Sequence, residues 1–158
     1  MIWIKRFFIL ALITLVAIQF FRPDRNNGGY ESLEPFLSET KPTEQVAAIL
    51  KTSCYDCHSN KTQYPWYAEV APVSFWLNDH IKEGKEHLNF STWEGYSAKR
   101  KDHKLEEVVE MVADGEMPLE SYIFIHEDAN LTPTETTALM DWAKVARLNY
   151  SLKADRPL

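Results

Sequence analysis

Hydrophobic positions gather in four blocks along the chain, and each has a helical signature. The first is an apolar run from Phe7 to Phe21, interrupted only by Thr14 and Gln19 and preceded by Lys5 and Arg6. It has no polar face, so it reads as a helix surrounded by lipid rather than one side of a core. The run is shorter than the roughly twenty residues that span a bilayer. Ile2, Trp3 and Ile4, with the two cations snorkelling, extend it toward that length. The second block, TEQVAAILKTSC from Thr43 to Cys54, sets Val46, Ile49, Leu50 and Cys54 at helical spacing. Pro42 before it suits a first helical turn. In the third, Leu105, Val108, Val109 and Val112 share a face, and Gly115 is a natural stop. The fourth opens with Thr132-Pro133-Thr134-Glu135, a capping box with proline at N1, and continues through Leu139, Trp142, Ala143 and Ala146. Alternating strand patterns are sparse, so the expected fold class is all-α.

The stretches between the blocks add detail. Residues 22–41 carry Pro23, Asn26-Asn27-Gly28-Gly29 and Pro35, a linker composition from which Phe36 and Leu37 are able to dock. Residues 64–96 hold eight aromatic side chains, and within them Phe75 to Ile81 fits a short helix ended by Gly84. From Ser151 onward the chain is a polar tail. The expected organisation is a transmembrane helix over 1–21, a linker over 22–41, a domain over 42–150 and a tail over 151–158.

Charge narrows the partners. The 158 residues hold 17 Lys and Arg against 23 Asp and Glu, a net charge of −6. An acidic domain lacks the basic surface that neutralises phosphates, so a nucleic-acid role is excluded. At the N-terminus, Gln19-Phe20-Phe21-Arg22-Pro23 offers no A-x-A-like cleavage site, which favours an uncleaved signal anchor over a removed signal peptide.

The chemistry concentrates in Cys54-Tyr55-Asp56-Cys57-His58, which contains both cysteines of the chain. C-x-x-C-H is the attachment sequence of a c-type haem. Two thiols one helical turn apart add to the two vinyl groups on one porphyrin edge, and the next imidazole reaches the iron. A zinc finger needs two further ligands at H-x(3–5)-H spacing, whereas six residues separate His80 from His87 and no second cysteine pair exists. A thioredoxin-like pair needs a βαβ setting. The aromatic stretch suits the walls of a large flat apolar cofactor. For the far side of the iron, Met117 stands between a helix end and Pro118, on backbone that proline biases toward extended geometry. A methionine opposite histidine is a usual axial pair of electron-transfer cytochromes. His80, His87 and His126 are the alternative sixth ligands. His103 lies in the charged run Lys99 to Lys104 and is expected in solvent.

Helix, C-x-x-C-H, a long loop region, a Met-Pro step and a C-terminal helix with tryptophan together resemble a class I cytochrome c. The resemblance is closer still to the bacterial haem-binding-domain family related to it. It rests on CYDCHSNKTQYPWYAEVAPVSFWLNDHIKEGKEHLNFSTW, on DGEMP and on LTPTETTALMDWA, and it covers roughly residues 42–147. It implies an all-α haem domain holding one haem c, with Cys54 and Cys57 attaching the haem, His58 as proximal ligand and Met117 as distal ligand. The aromatic segment with His80 and His87 departs from a minimal cytochrome c and leaves room for bis-histidine ligation. The expected function is a membrane-anchored electron carrier, not an enzyme. It would be single-pass in the inner membrane, its haem domain facing the periplasm and meeting redox protein partners. The alternative is a haem-based sensor or peroxidase-like enzyme with an open or labile sixth site.

Overall fold

The computed structural model describes residues 2–154, with side chains to Ser151. Every element among the described residues is helical, and the nearest approach to a sheet is one isolated bridge between Asn27 and Lys61. The α-helices are α1 (Ile2–Ile18), α2 (Glu34–Thr40), α3 (Glu44–Ser53), α4 (Tyr55–His58), α5 (Val73–His87), α6 (Ala98–Ala113), α7 (Glu120–Ile123) and α8 (Pro133–Ala154). Short 3-10 turns at Tyr30–Leu33, Trp66–Glu69, Phe90–Gly95 and Glu127–Ala129 join them.

Local signals fix the long helices. Thr43 caps α3, its hydroxyl accepting the Val46 amide at 3.2 Å, so Pro42 lies just outside the helix rather than in its first turn. The capping box of α8 closes in both directions: Glu135 N donates to Thr132 Oγ1 at 3.3 Å, and Thr132 N donates to Glu135 Oε2 at 2.9 Å. α6 is capped by Ser97 and stops at Gly115, whose φ of +72° suits a residue without a Cβ. There Gly115 N donates to Val112 O and Glu116 N to Met111 O, the paired bonds of a Schellman stop.

α6 and α8 pack along each other, and α3 leans on α8. The core's centre is Phe36 of α2, fully buried. Its ring meets Phe90 at 4.4 Å, Trp93 at 5.1 Å and Trp142 at 5.9 Å. The buried indoles keep partners, as such groups must: Trp142 Nε1 donates to Thr40 O at 3.0 Å and Trp93 Nε1 to the Tyr150 hydroxyl at 3.1 Å.

Several expectations change. Residues 22–41 do not form a loose linker: Leu33 and Phe36 are core residues, and Asn26 is a hydrogen-bonding centre. Its side-chain amide donates to Ser59 O at 2.8 Å and Thr62 Oγ1 at 2.9 Å, and its carbonyl accepts from Lys85 Nζ at 2.7 Å. A Cβ on Gly28 would lie 2.7 Å from Asn60 O, so this glycine serves close approach, not flexibility. Gly84 does not end a helix; α5 runs on to His87. The charged run 99–104 is only partly solvated, because Lys101 is buried and paired with Glu39 at 2.8 Å. The polar tail begins as the last turn of α8, and 155–158 lie outside the described residues.

The expected transmembrane helix also changes. No helix among the described residues is long and apolar enough to cross a membrane. The 17 residues of α1 reach about 25 Å at 1.5 Å each, against a hydrocarbon core of about 30 Å. Past Ile18 the backbone tightens to turn bonds, Gln19 N on Val16 O, Phe20 N on Ala17 O and Phe21 N on Ile18 O, and the Gln19 side chain reaches the backbone of Ala71.

Candidate functional site

Cys54 sits at the kink between α3 and α4, with φ −127° and ψ −41°. α4 is the single turn that follows, closed by His58 N donating to Cys54 O at 2.9 Å. That turn brings Cys54, Cys57 and His58 together. Both cysteines are free thiols. Burial pushes the Cys54 thiol up to about 12 and the Cys57 thiol up to about 11. An activated redox dithiol shows the opposite shift. Among the described residues, no group of three or more His, Cys, Asp or Glu is gathered as a metal cage.

The imidazole of His58 is oriented by the far end of α5. Its Nδ1 lies 2.9 Å from Gly84 O and 3.0 Å from Leu88 O. Both partners are acceptors, so Nδ1 carries the proton and donates. These carbonyls lie in the last turn of α5 and at its cap residue, and Gly84 O accepts the Leu88 amide at 2.9 Å as well as the imidazole. Burial outweighs the two backbone bonds, lowers the His58 pKa and favours the neutral ring. The remaining atom, Nε2, then carries the lone pair. A ligating histidine is held in this way, with one ring nitrogen donated to a carbonyl and the other free for iron. Phe90 covers the ring edge-on at 6.3 Å. Gly84 permits the approach: a Cβ there would stand 2.9 Å from Cys57 O and 3.1 Å from Cys57 Cβ.

Asp56, between the cysteines, is the positioning residue that sequence reasoning missed. Its Oδ1 accepts from Gln63 N at 2.8 Å, its Oδ2 from the Tyr122 hydroxyl at 3.0 Å, and its backbone O from Thr62 Oγ1 at 2.6 Å. Burial raises its pKa, while the Gln63 and Tyr122 bonds act the other way. Tyr122 stacks on His126 at 4.4 Å, and His126 Nε2 lies 2.8 Å from the Tyr67 hydroxyl. Of the alternative ligands, His126 is thus engaged in a tyrosine pair. His80 donates from Nδ1 to its own helix at Trp76 O, 2.9 Å away, and His87 is exposed. His103 is exposed and faces Glu106 and Glu107. Met117 follows the Schellman stop directly, its amide donating to Met111 O at 3.1 Å. Its side chain is half-buried against the same core cluster that Cys54 borders.

The aromatic stretch divides. Phe90 and Trp93 belong to the protein core, whereas Trp66 is 80% exposed. Trp66 neighbours Tyr67, and Phe124, 84% exposed, lies two residues from His126. Trp66 and Tyr67 thus put aromatic surface next to the His126–Tyr122 pair that holds Asp56. One buried polar atom also lacks a partner, the hydroxyl of Tyr55, the residue next to Cys54. Two free thiols one turn apart, a neutral imidazole held by Nδ1, an orphaned hydroxyl and exposed aromatic surface beside them fit a haem.

No curated protein and no solved structure matches the chain. A family model described as a haem-binding domain matches residues 13–145, which spans the motif, the Met-Pro step and most of α8. The residue-level fit and this match agree, and the chain belongs to the haem-binding domain family.

Proposed function

We propose that this protein is a membrane-anchored monohaem c-type cytochrome, an electron carrier rather than an enzyme, working on the periplasmic face of the inner membrane. The observation that carries this reading is His58, its Nδ1 locked on two α5 carbonyls directly after the free thiols of Cys54 and Cys57. In it, Cys54 and Cys57 would hold one haem covalently through their thiols, and His58 and Met117 would ligate its iron. When bound, the haem iron supplies one-electron exchange between ferrous and ferric forms. The chain's own residues bind, orient and shield it. Asp56 fixes the turn bearing the thiols, Phe90, backed by Tyr55, shields one side of His58, and Met117 supplies the thioether.

α1 supports the anchor. Apart from Lys5, Arg6 and Thr14 its residues are apolar, nearly all of them are exposed, and the turn at Gln19–Phe21 carries the apolar run three residues further. The net acidic surface suits basic redox partners in brief, salt-sensitive encounters.

Holo-protein should keep its haem through denaturing electrophoresis and show a six-coordinate low-spin spectrum. Met117→Ala should abolish the thioether-to-iron band. Haem lost on denaturation refutes covalent attachment, and a Met117→Ala spectrum unchanged from wild type refutes methionine ligation. A second reading, a sensor or peroxidase-like protein with an open sixth position, is favoured by the Tyr67–His126 pair beside the motif. Rapid carbon monoxide binding by unmutated protein would select it.

A further inference from the structure

The exit from α1 is fastened rather than free. The Gln19 carboxamide pairs in both directions with one backbone unit: Nε2 donates to Ala71 O at 3.0 Å, and Ala71 N donates to Oε1 at 3.0 Å. Arg22 and Arg25 both form ion pairs with Glu69. Three side chains within seven residues therefore grip the short segment that leads into α5.

This grip sets the level of the domain against the helix. Phe20 and Phe21 flank Gln19, and both are strongly exposed. Val70 and Pro72 flank Ala71 and are exposed, as is Val73. Trp76, one helical turn beyond Val73 on the same face of α5, is 45% exposed. The opposite side of α5, through Ser74, Asn78 and Ile81, is buried. An apolar face continuous with the end of an apolar helix lies where a helix of that kind leaves lipid. Aromatic side chains are enriched at that depth.

We propose that Phe20, Phe21, Val70, Pro72, Val73 and Trp76 form a lipid-docking face. This face seats the haem domain in the headgroup region of the bilayer and holds it at one tilt, with the Gln19–Ala71 clasp as the fastening. The proposal rests on the reading of α1 as the bilayer helix. The occupant is lipid because the face is continuous with α1, whose exposed apolar side chains run into Phe20 and Phe21.

The test uses full-length holo-protein in vesicles of phosphatidylethanolamine and phosphatidylglycerol. Single nitroxide labels are placed through Leu10→Cys, Phe21→Cys, Val73→Cys and Thr134→Cys, with the unsubstituted chain as background. Relaxation by oxygen, which partitions into lipid, is compared with relaxation by an aqueous nickel chelate. Leu10 should read as lipid and Thr134 as water. Val73 should be shielded from nickel to nearly the depth of Phe21, and adding Gln19→Ala should raise its nickel accessibility severalfold while Leu10 stays unchanged. If Leu10 reads as lipid and Val73 matches Thr134, the docking face is wrong and the anchor stands. If Leu10 matches Thr134, the anchor reading has failed and the proposal with it. Shielding of Val73 that persists in detergent without lipid assigns the face to a second copy and overturns the proposal.

Discussion

Two residues carry more than their size suggests. Gly84 lies inside α5, where alanine ordinarily stabilises a helix by up to about 1 kcal/mol. Here a Cβ would press on Cys57, so Gly84→Ala should destabilise by roughly 1–3 kcal/mol, the range for overpacking. It should also lower haem content, seen as a reduced Soret-to-protein absorbance ratio in purified material. Equal stability and equal loading would show that the contact is slack. Phe36 touches three other aromatic rings and is fully buried. Phe36→Ala should cost about 3–5 kcal/mol, read as a shift in the urea midpoint with little change in slope. The role of Gly84 was not legible in the sequence, and Phe36 was legible only as a side chain able to dock from a linker. Gly84 looked like a helix stop because the residue that requires it, Cys57, is distant in the chain. Phe36 sat in a segment whose asparagines, glycines and prolines have linker composition.

Elements whose instructions are local were legible. α3 and α8 carry apolar residues at helical spacing, so their buried faces followed from neighbours in sequence, as did the capping-box start of α8; the start of α3 lies at the Thr43 cap rather than at Pro42, and α8 runs past Ser151. α8 also carries a pH prediction. The Thr132 amide and hydroxyl hold the Glu135 carboxylate below its ordinary 4.5. A lowered carboxylate pKa adds stability above the unfolded value, and that stability is lost as pH falls through the folded one. The thermal midpoints of wild type and Glu135→Ala should therefore differ at neutral pH and converge in acid. A difference that persists at about pH 2, below the carboxylate range, would assign it to helix propensity instead. α4 was legible only as a motif. C-x-x-C-H announces its chemistry, but the carbonyls that aim the imidazole, those of Gly84 and Leu88, lie at the end of α5 about thirty residues on, and no residue type advertises a backbone acceptor.

At the scale of the whole molecule, the N-terminal forty residues divide differently from their composition. Asn26 joins the loop after the haem motif, and Leu33 and Phe36 complete the core. A chain starting at residue 22 should retain a cooperative thermal transition. A chain starting at residue 42 should lose it, with dye-binding apolar surface exposed where Phe36 was. Identical melting of the two would return 22–41 to the status of a tether. The haem-binding identity was readable from five residues and their setting. The architecture around them was less so, because it depends on contacts such as Asn26 with Ser59 and Trp142 with Thr40 that join remote parts of the chain.

Both ends of α5 are committed. The segment entering it is clasped by Gln19 at Ala71, and its last turn holds His58 through Gly84 and Leu88. Its 15 residues make a rod of about 22 Å. The separation between the exit of α1 and the imidazole is therefore a built-in dimension of the molecule, set by helix length. In an electron carrier such a strut acts as a gauge, keeping the redox centre at one stand-off from the plane in which its partners sit.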